Sequence, residues 1–412
     1  MNLIKELKDR GIINNVTDEK KLQEAIDNKL GVYIGFDPSF RSLHLGNYIM
    51  IHLLNLFAKA GLPTYAVLGG ATGRIGDPSG KKAERSLLDL KVLDANIEAV
   101  SKQLKTLANV KEVVNNYDIY KNISLFTFLR NVGKLINVNY LLEKDIIKTR
   151  LESGISFAEF SYNLIQGYDF VWLYNYKGVA IQCGGSDQWG NITTGLEMIR
   201  KVNGDKAKAV GLTINLLTKS DGTKFGKSEK GAIYLDPTIT SPYEMYQFIL
   251  NQADEDLNKM FNFFSDLSTD DIKTLLAKHN ENKGARLGQK TLAQEIITKI
   301  HGKDAYDQCL KISDALFYGK FDQLTLSELD ICAKQFNLFK INQEMNLVDF
   351  LIENKIIQSK RVFRELLQAK TLLVNNIVVD KEDFKLTNKL TYFDKYTIIR
   401  KGKKNYFMLT WK

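Results

Sequence analysis

The sequence predicts an α/β protein: a parallel-sheet domain first, then a helix-rich stretch, then a small basic α+β unit. Three observations predict it. Apolar runs ending at Gly, Asp or Pro, at residues 32–36, 65–68, 179–182 and 212–217, alternate with helical patterns, the order that builds parallel sheets. All five prolines, Pro38, Pro63, Pro78, Pro237 and Pro242, fall within the first 242 residues, and the chain beyond them is rich in helical periodicity. The formal charge of +9 is concentrated at the end, because residues 355–412 carry 14 Lys and Arg against 5 Asp and Glu and the first 354 residues are neutral.

Length and a 44% hydrophobic composition allow two or three domains with their own cores. The opening MNLIKELKDRGIINN reads as a charged amphipathic helix with no apolar run for a signal peptide or membrane span. A cytoplasmic, membrane-free protein is expected. Cys183, Cys309 and Cys332 form no C-x-x-C pair, and His44, His52, His279 and His301 are too scattered for a zinc motif. Neither a disulfide nor a bound metal is expected.

In VYIGFDPSFRSLHLGN, residues 32–36 form a strand, Asp37-Pro38 ends it, and a helix begins near Gly46 and stops at Gly61. His44 and Asn47 then lie at the positive end of a helix whose first N–H groups lack partners, which suits phosphate; ordinary loop and cap residues would read the same way. LGGATGRIGDPSGKKAER follows the next strand. It fails as a Walker A loop, since Ile75 takes the first Gly position and Lys82 that of the Ser/Thr, and it lacks the three-glycine dinucleotide spacing. It reads as a loop carrying Asp77, Lys81 and Arg85 to a strand end, or as a mobile surface loop.

FSYNLIQGYDF sets Tyr162, Gln166 and Asp169 at i, i+4 and i+7, one face of a helix. They form either a polar pocket wall or an exposed stripe. IQCGGSDQWGN follows a strand and offers Gly184 and Gly185 for close backbone approach beside Asp187 and Gln188, as at a ribose or substrate site; a plain glycine turn also fits. LLTKSDGTKFGKSEKG crowds Lys219, Lys224, Lys227 and Ser228 onto a loop hinged by Gly222 and Gly226. It could close over phosphates or be a solvated charge run. In the tail, a helix pair leads into short β-prone runs turning at Asn375-Asn376. A basic module of this kind suits a polyanion, nucleic acid first.

Together the stretches are more specific than any one alone. HLGN after the first strand and KFGKS about 180 residues later resemble the His-x-Gly-His and Lys-Met-Ser-Lys-Ser signatures of class I aminoacyl-tRNA synthetases. YIGFDPSFRSLHLGN, GGATGRIGDPSGKK, SYNLIQGYDF, GGSDQWGNIT and DGTKFGKSE resemble, in order and spacing, the bacterial-type tyrosyl-tRNA synthetases. SKRVFRELLQAKTLLVNN is similar to the small RNA-binding module that family shares with a ribosomal protein. The resemblance spans essentially the whole chain.

It implies a Rossmann-like catalytic domain at residues 1–225 with a helical insertion around 115–170, an all-α domain at 226–320, a linker at 321–344 and a small α+β RNA-binding domain at 345–412. It also implies roles. Tyr33 and Asp169 would bind a phenolic hydroxyl, Asp77, Tyr162 and Gln166 an ammonium group, with Gln182 lining the pocket and Gln188 near the carboxylate. Ser39, His44, Lys81, Arg85, Lys224, Lys227 and Ser228 would serve the ATP phosphates, and Asn47, Gly185 and Asp187 the ribose, with Gly35 and Asp37 completing the ATP site. Lys360, Arg361 and Arg364 would meet tRNA.

Three residues depart from the family pattern. Asn47 stands for the second histidine, Phe225 for Met, and Ile34 where other members often carry a hydrogen-bonding side chain. The implied reaction is ATP-dependent activation of L-tyrosine to tyrosyl-adenylate, then transfer to the terminal adenosine of tRNA(Tyr). ATP enters as a substrate with Mg2+, no tightly bound cofactor is expected, and the apolar run ISLFTFLRNVGKLINVNYLL suits a homodimer or a core helix. Tryptophanyl-tRNA synthetase would not need the Tyr33 and Asp169 pair, a nucleotidylyltransferase would leave the basic tail unexplained, and a non-enzymatic RNA-binding derivative would not need both phosphate signatures.

Overall fold

The computed structural model describes residues 3–411 apart from 78, 80–85, 152, 153, 221, 224, 229, 230, 335, 337, 403 and 404; at 145, 146, 227 and 228 it describes the backbone. Contacts divide the chain into two compact units, residues 1–240 with 248–300, and residues 241–247 with 301–412.

The first unit is built on strands β1 (Ile13–Val16), β2 (Gly31–Phe36), β3 (Thr64–Leu68), β4 (Glu112–Asn115), β5 (Val179–Gly185) and β6 (Val210–Ile214). Their order is β1-β6-β5-β2-β3-β4, parallel throughout except for β1, which runs antiparallel to β6 at the edge. β2 and β3 are almost wholly buried, as strands covered on both faces must be. From β2 the chain moves outward to β3 and β4, and from β5 it moves the other way to β6. Strand order therefore reverses between β2 and β5, and the crevice at their C-terminal ends is where open α/β sheets bind ligands.

Two helices fix that crevice. Leu45–Lys59 follows β2 and buries Leu45, Ile51, Leu53, Leu54 and Phe57. Phe157–Lys177 ends at Gly178, whose φ of 68° lets the chain turn directly into β5. Where it crosses the helix Trp189–Asn203, a Cβ on Gly167 would fall 2.8 Å from Met198 Sδ and 3.4 Å from the Gly195 nitrogen. The glycine permits that close approach.

Several boundaries differ from expectation. β5 runs three residues beyond Gln182, and β6 lies at 210–214, not 212–217, because the chain leaves the sheet after Ile214. Residues 226–320, expected as one helical domain, open with a hairpin of β7 (Lys227–Ser228) and β8 (Gly231–Ala232). Their helices are shared: Leu257–Phe264, Thr269–Glu281 and Leu287–His301 lie essentially in the first unit, and Lys303–Tyr318 in the second.

Residues 321–344, expected as a linker, hold a helix, Leu326–Ala333, started by a Thr325/Glu328 capping box, and β9 (Leu338–Ile341). β9 is no joint, because it pairs in parallel with the last strand of the chain. The second unit continues with β10 (Met345–Asn346), β11 (Leu372–Val374), β12 (Ile377–Val378), β13 (Lys385–Leu386), β14 (Tyr396–Lys401) and β15 (Asn405–Trp411). Its main sheet has the order β12-β11-β14-β15-β9. Asn375 and Asn376, at φ 47° and 65°, make the expected tight turn between β11 and β12. Phe363, Leu351, Leu372, Ile399 and Leu409 close the core beneath it.

Candidate active site

A cavity of about 670 Å³ opens at the crevice between β2 and β5. Tyr33 and Gly35 of β2, and Asp37, Ser39, His44 and Asn47 of the segment behind it, line one side. Tyr162, Gln166 and Asp169 line another from the helix Phe157–Lys177, so the spacing of four and three residues is a pocket wall and not an exposed stripe. Gln182 and Gly185 of β5, then Asp187 and Gln188, face them, and Asp77 reaches in from the loop after β3. Lys81, Arg85 and Lys224 lie outside the described residues, as do the side chains of Lys227 and Ser228. Lys360, Arg361 and Arg364 belong to the second unit, on or at the start of the helix Lys360–Gln368.

The entrance to the helix Leu45–Lys59 is held by a reciprocal cap. His44 Nδ1 accepts the Asn47 N–H at 3.2 Å, and Asn47 Oδ1 accepts the His44 N–H at 3.1 Å. Because Nδ1 is the acceptor, the proton of the neutral ring belongs on Nε2. The departure at residue 47 therefore supplies the carbonyl oxygen that closes the cap.

The two signature segments meet here although about 180 residues separate them. A Cβ on Gly226, at φ 89°, would fall 2.8 Å from the Gly46 nitrogen. Leu45 N–H donates to the Ile233 carbonyl at 2.7 Å, and Ile233 N–H to the Gly226 carbonyl at 3.0 Å. Phe225, the other departure, is buried, lines the cavity, and packs its ring 5.5 Å from Phe248 and 5.4 Å from Phe264. An aromatic here anchors by packing the segment that leads into β7. Ile34 lines the cavity as well.

One hydrogen-bond network crosses the floor. Gln166 Nε2 donates to Gln188 Oε1 at 3.2 Å, Gln188 Nε2 to Asp77 Oδ2 at 2.9 Å, and Asn191 Nδ2 to Gln188 Oε1 at 3.0 Å and Ser79 Oγ at 3.1 Å. Asp77 Oδ1 accepts the Ser79 N–H at 2.9 Å. The network fixes which atom each amide presents.

The far end is drier. Tyr33 and Asp169 are each 2% exposed. Asp169 Oδ2 accepts from Asn116 Nδ2 at 2.9 Å, and its Oδ1 lies 2.6 Å from the Tyr120 hydroxyl oxygen. Desolvation outweighs both bonds and pushes the carboxyl up to about 7. Burial, with the nearby Asp169 charge, drives the Tyr33 phenol well above its ordinary value. The Tyr33 hydroxyl, Gln166 Oε1 and Gln182 Oε1 are buried without a partner among the described residues. Buried polar atoms left unsatisfied are unfavourable, and three beside one cavity point to a polar ligand that completes them.

Sequence reading did not single out Asn116, Tyr120 or Asn191. Asn191 lies inside a stretch already recognised, three residues after Gln188, but the other two follow the four-residue β4 in NNYDIY, where no periodicity marks them.

Comparison with known proteins bears on both units. Residues 25–318 match the family model "tRNA synthetases class I (W and Y)", and residues 328–409 match "Tyrosine--tRNA ligase SYY-like C-terminal domain". The chain is 52% identical over 411 residues to a tyrosine–tRNA ligase of Ureaplasma urealyticum, covering 100% of this chain and 99% of that one. It is 49% identical over 412 residues to one of Mycoplasma mobile, covering 99% of each. A C-terminally truncated mitochondrial tyrosyl-tRNA synthetase of Aspergillus nidulans superposes with a TM-score of 0.69 at 30% identity, over 76% of this chain and 94% of that one.

Proposed function

The chain belongs to the class I tyrosine–tRNA ligases, and from that premise we propose how its residues carry the family's reaction: activation of L-tyrosine with ATP to tyrosyl-adenylate and pyrophosphate, then transfer of tyrosine to the 3′-terminal adenosine of tRNA(Tyr). The observation that carries the assignment of residues is the buried end of the cavity. There the Tyr33 hydroxyl lacks a partner among the described residues, beside a carboxyl held by Asn116 and Tyr120. A phenolic hydroxyl can donate to Asp169 and accept from Tyr33, filling both sites at once.

With the ring at that end, the substrate's ammonium falls to Asp77, Tyr162 and Gln166, and Gln182 and Gln188 line the path to the carboxylate. The nucleophile is that carboxylate, attacking the α-phosphorus of ATP. The protein positions the two substrates and stabilises the charge that develops, so it needs no nucleophile of its own. His44 Nε2–H, at the N-terminus of the helix Leu45–Lys59, is assigned as a donor to phosphate, and Ser39 lines the same cavity. Gly35 has open space where a Cβ would lie, which suits a flat adenosine against β2. Gly35, Asp37, Asn47, Gly185 and Asp187 complete the nucleotide side. Lys81, Arg85, Lys224, Lys227 and Ser228 are assigned to the phosphates by motif. Mg2+ enters with ATP as part of the substrate.

Lys360, Arg361 and Arg364 are assigned to tRNA phosphate contacts. Support comes from the tail's charge and from the exposure of Arg361 and Arg364, 85% and 58%. A homodimer is supported by Leu125 and Phe126, 67% and 83% exposed on the helix Leu125–Asn131. A cytoplasmic placement is consistent with the reaction, and among the described residues no helix is long and apolar enough to cross a membrane. The test is ATP-dependent charging of tRNA(Tyr) with radiolabelled tyrosine. A purified chain that charges no tRNA with tyrosine sinks the reading.

A further inference from the structure

Tyr120 closes the four-residue helix Tyr117–Tyr120, and its hydroxyl oxygen lies 2.6 Å from Asp169 Oδ1 and 2.6 Å from the Ile165 carbonyl oxygen. A hydroxyl has one proton and can donate to only one of these acceptors. The other side of the carboxyl is settled. Asn116 Oδ1 accepts the Ala71 N–H at 2.7 Å, which turns its Nδ2 toward Asp169 Oδ2.

Two arrangements remain for Tyr120. With Asp169 protonated on Oδ1, the acid donates to Tyr120 and Tyr120 donates to the Ile165 carbonyl, so every oxygen is satisfied. With Asp169 ionised, Tyr120 turns its O–H to Oδ1 in a charge-assisted bond and releases the carbonyl. The hydroxyl thus has a role in either protonation state.

We propose that Tyr120 is a positioning residue of the tyrosine site: by exchanging acceptor for donor it allows buried Asp169 to give up its proton as the substrate's phenol arrives, so that tyrosine binding releases a proton to solvent near neutral pH. The proposal rests on the reading of Asp169 as the phenol's acceptor. The titratable groups around Asp169 and Tyr120 are phenols, Tyr33 from β2 and Tyr168 from the same helix as Asp169. Asn116 is neutral, Gln182 and Cys183 of β5 line the cavity uncharged, with burial holding the Cys183 thiol protonated, and the crossing helix meets this one through Thr194, Gly195 and Met198. Asp77, on the loop after β3, and Asp37 and Asp187, on the nucleotide side, are the other carboxyls lining the cavity.

Burial pushes Asp169 up to about 7, and the bonds from Asn116 and Tyr120 oppose that rise. Removing the Tyr120 hydroxyl therefore moves the carboxyl further up. It stays protonated at a pH where the native group is ionised, and a carboxylic acid accepts a phenol's hydrogen more weakly than a carboxylate does.

The test is the KM for tyrosine in ATP–pyrophosphate exchange from pH 6 to 8.5, on the full chain and on Tyr120→Phe and Asp169→Asn. Native KM should rise as pH falls below about 7. Tyr120→Phe should shift that rise upward by about one pH unit, giving an approximately threefold higher KM at pH 7.5, approaching tenfold at pH 6, that recovers toward the native value at pH 8.5, with kcat changed less than about twofold. A KM raised equally at every pH, or a profile superposing on the native one, overturns the proposal.

Asp169→Asn separates the role of Tyr120 from the phenol site itself. If it binds tyrosine normally, the phenol-site reading fails. If it loses tyrosine while Tyr120→Phe keeps the native profile, only the role of Tyr120 fails. Should Tyr120→Phe not fold, calorimetry of tyrosine binding to the native chain in buffers of different ionisation enthalpy decides. More than half a proton released per tyrosine at pH 6.5, falling toward none at pH 8.5, supports the proposal, and none at pH 6.5 overturns it.

Discussion

In the cavity, Asp77, Gln166 and Gln188 are tied into one hydrogen-bond network and Tyr33 and Asp169 are closed off from water. In the tail, Arg361 and Arg364 stand in solvent, paired with Glu365 at 3.6 Å and Glu382 at 2.9 Å. The two regions use polar residues in opposite ways. A buried group acts through one partner at one distance, and its loss leaves another group unsatisfied. An exposed charge acts through a field that salt screens and neighbours share. Single substitutions should therefore be severe and specific in the cavity, and mild, additive and salt-dependent in the tail.

The largest effect is expected at Asp169. Asp169→Ala should abolish tyrosine activation or collapse selection against phenylalanine. Tyrosine–tRNA ligases are themselves the known instance of rejecting phenylalanine by about 10⁵, so that magnitude is the family's own, and the geometry here accounts for its direction. Steady-state exchange with both amino acids measures it, and retained selectivity would show that the two ends of the cavity have been misassigned.

Next come the loop lysines. Lys224→Ala or Lys227→Ala should slow adenylate formation by about 10² to 10³ while tyrosine affinity holds, as when a donor to developing charge is removed. Single-turnover kinetics would reveal it, and unchanged rates in both variants would remove the loop from the chemistry. Gly226→Ala should cost a smaller factor, on the order of 10 to 10², by displacing the loop from Gly46 without touching any assigned contact to tyrosine. A variant with native rates would mean that this close approach is not needed for activity.

In the tail, Lys360→Ala, Arg361→Ala and Arg364→Ala should each weaken tRNA binding a few-fold and lower the salt slope by about one where the side chain meets a phosphate. Affinity measured across a salt series would show it. Three unchanged slopes would move the RNA contact elsewhere on the module. Deleting the chain after residue 346 is a poor alternative, because it removes β15 and leaves its parallel partner β9 unpaired.

Burial of Asp169 also affects stability. Its folded-state pKa, about 7, lies above the ordinary value of 3.8, so the native state holds a proton that the unfolded chain releases. Stability from this group is present below about pH 4, declines as pH rises to about 7, and stays lost above it. Asp169→Asn, which has no such proton, should gain in melting temperature relative to the native chain on going from pH 5 to pH 8. Parallel melting curves across that range would contradict a buried, proton-binding carboxyl.

The same contrast between regions explains how much could be read from the sequence. Elements that punctuate themselves were legible: β2 by Asp37-Pro38, the helix Phe157–Lys177 by its polar spacing, the β11–β12 turn by Asn375-Asn376. β1 was not, because its four residues, INNV, include two exposed asparagines at a sheet edge. β9 was not, because its pairing partner lies about 70 residues away. Within the site, residues that face the ligand repeat at element spacings and stand out, whereas Asn116 and Tyr120 face Asp169 from a short irregular connection. Their role exists only once β4 is placed beside β3.

The central claim is that the buried end of the cavity selects a phenol, and ATP–pyrophosphate exchange over a panel of amino acids that includes phenylalanine and tryptophan tests it most directly. The account predicts exchange with tyrosine and a kcat/KM for phenylalanine lower by at least about 10⁴. Exchange with tryptophan or phenylalanine at a rate comparable to tyrosine would contradict it.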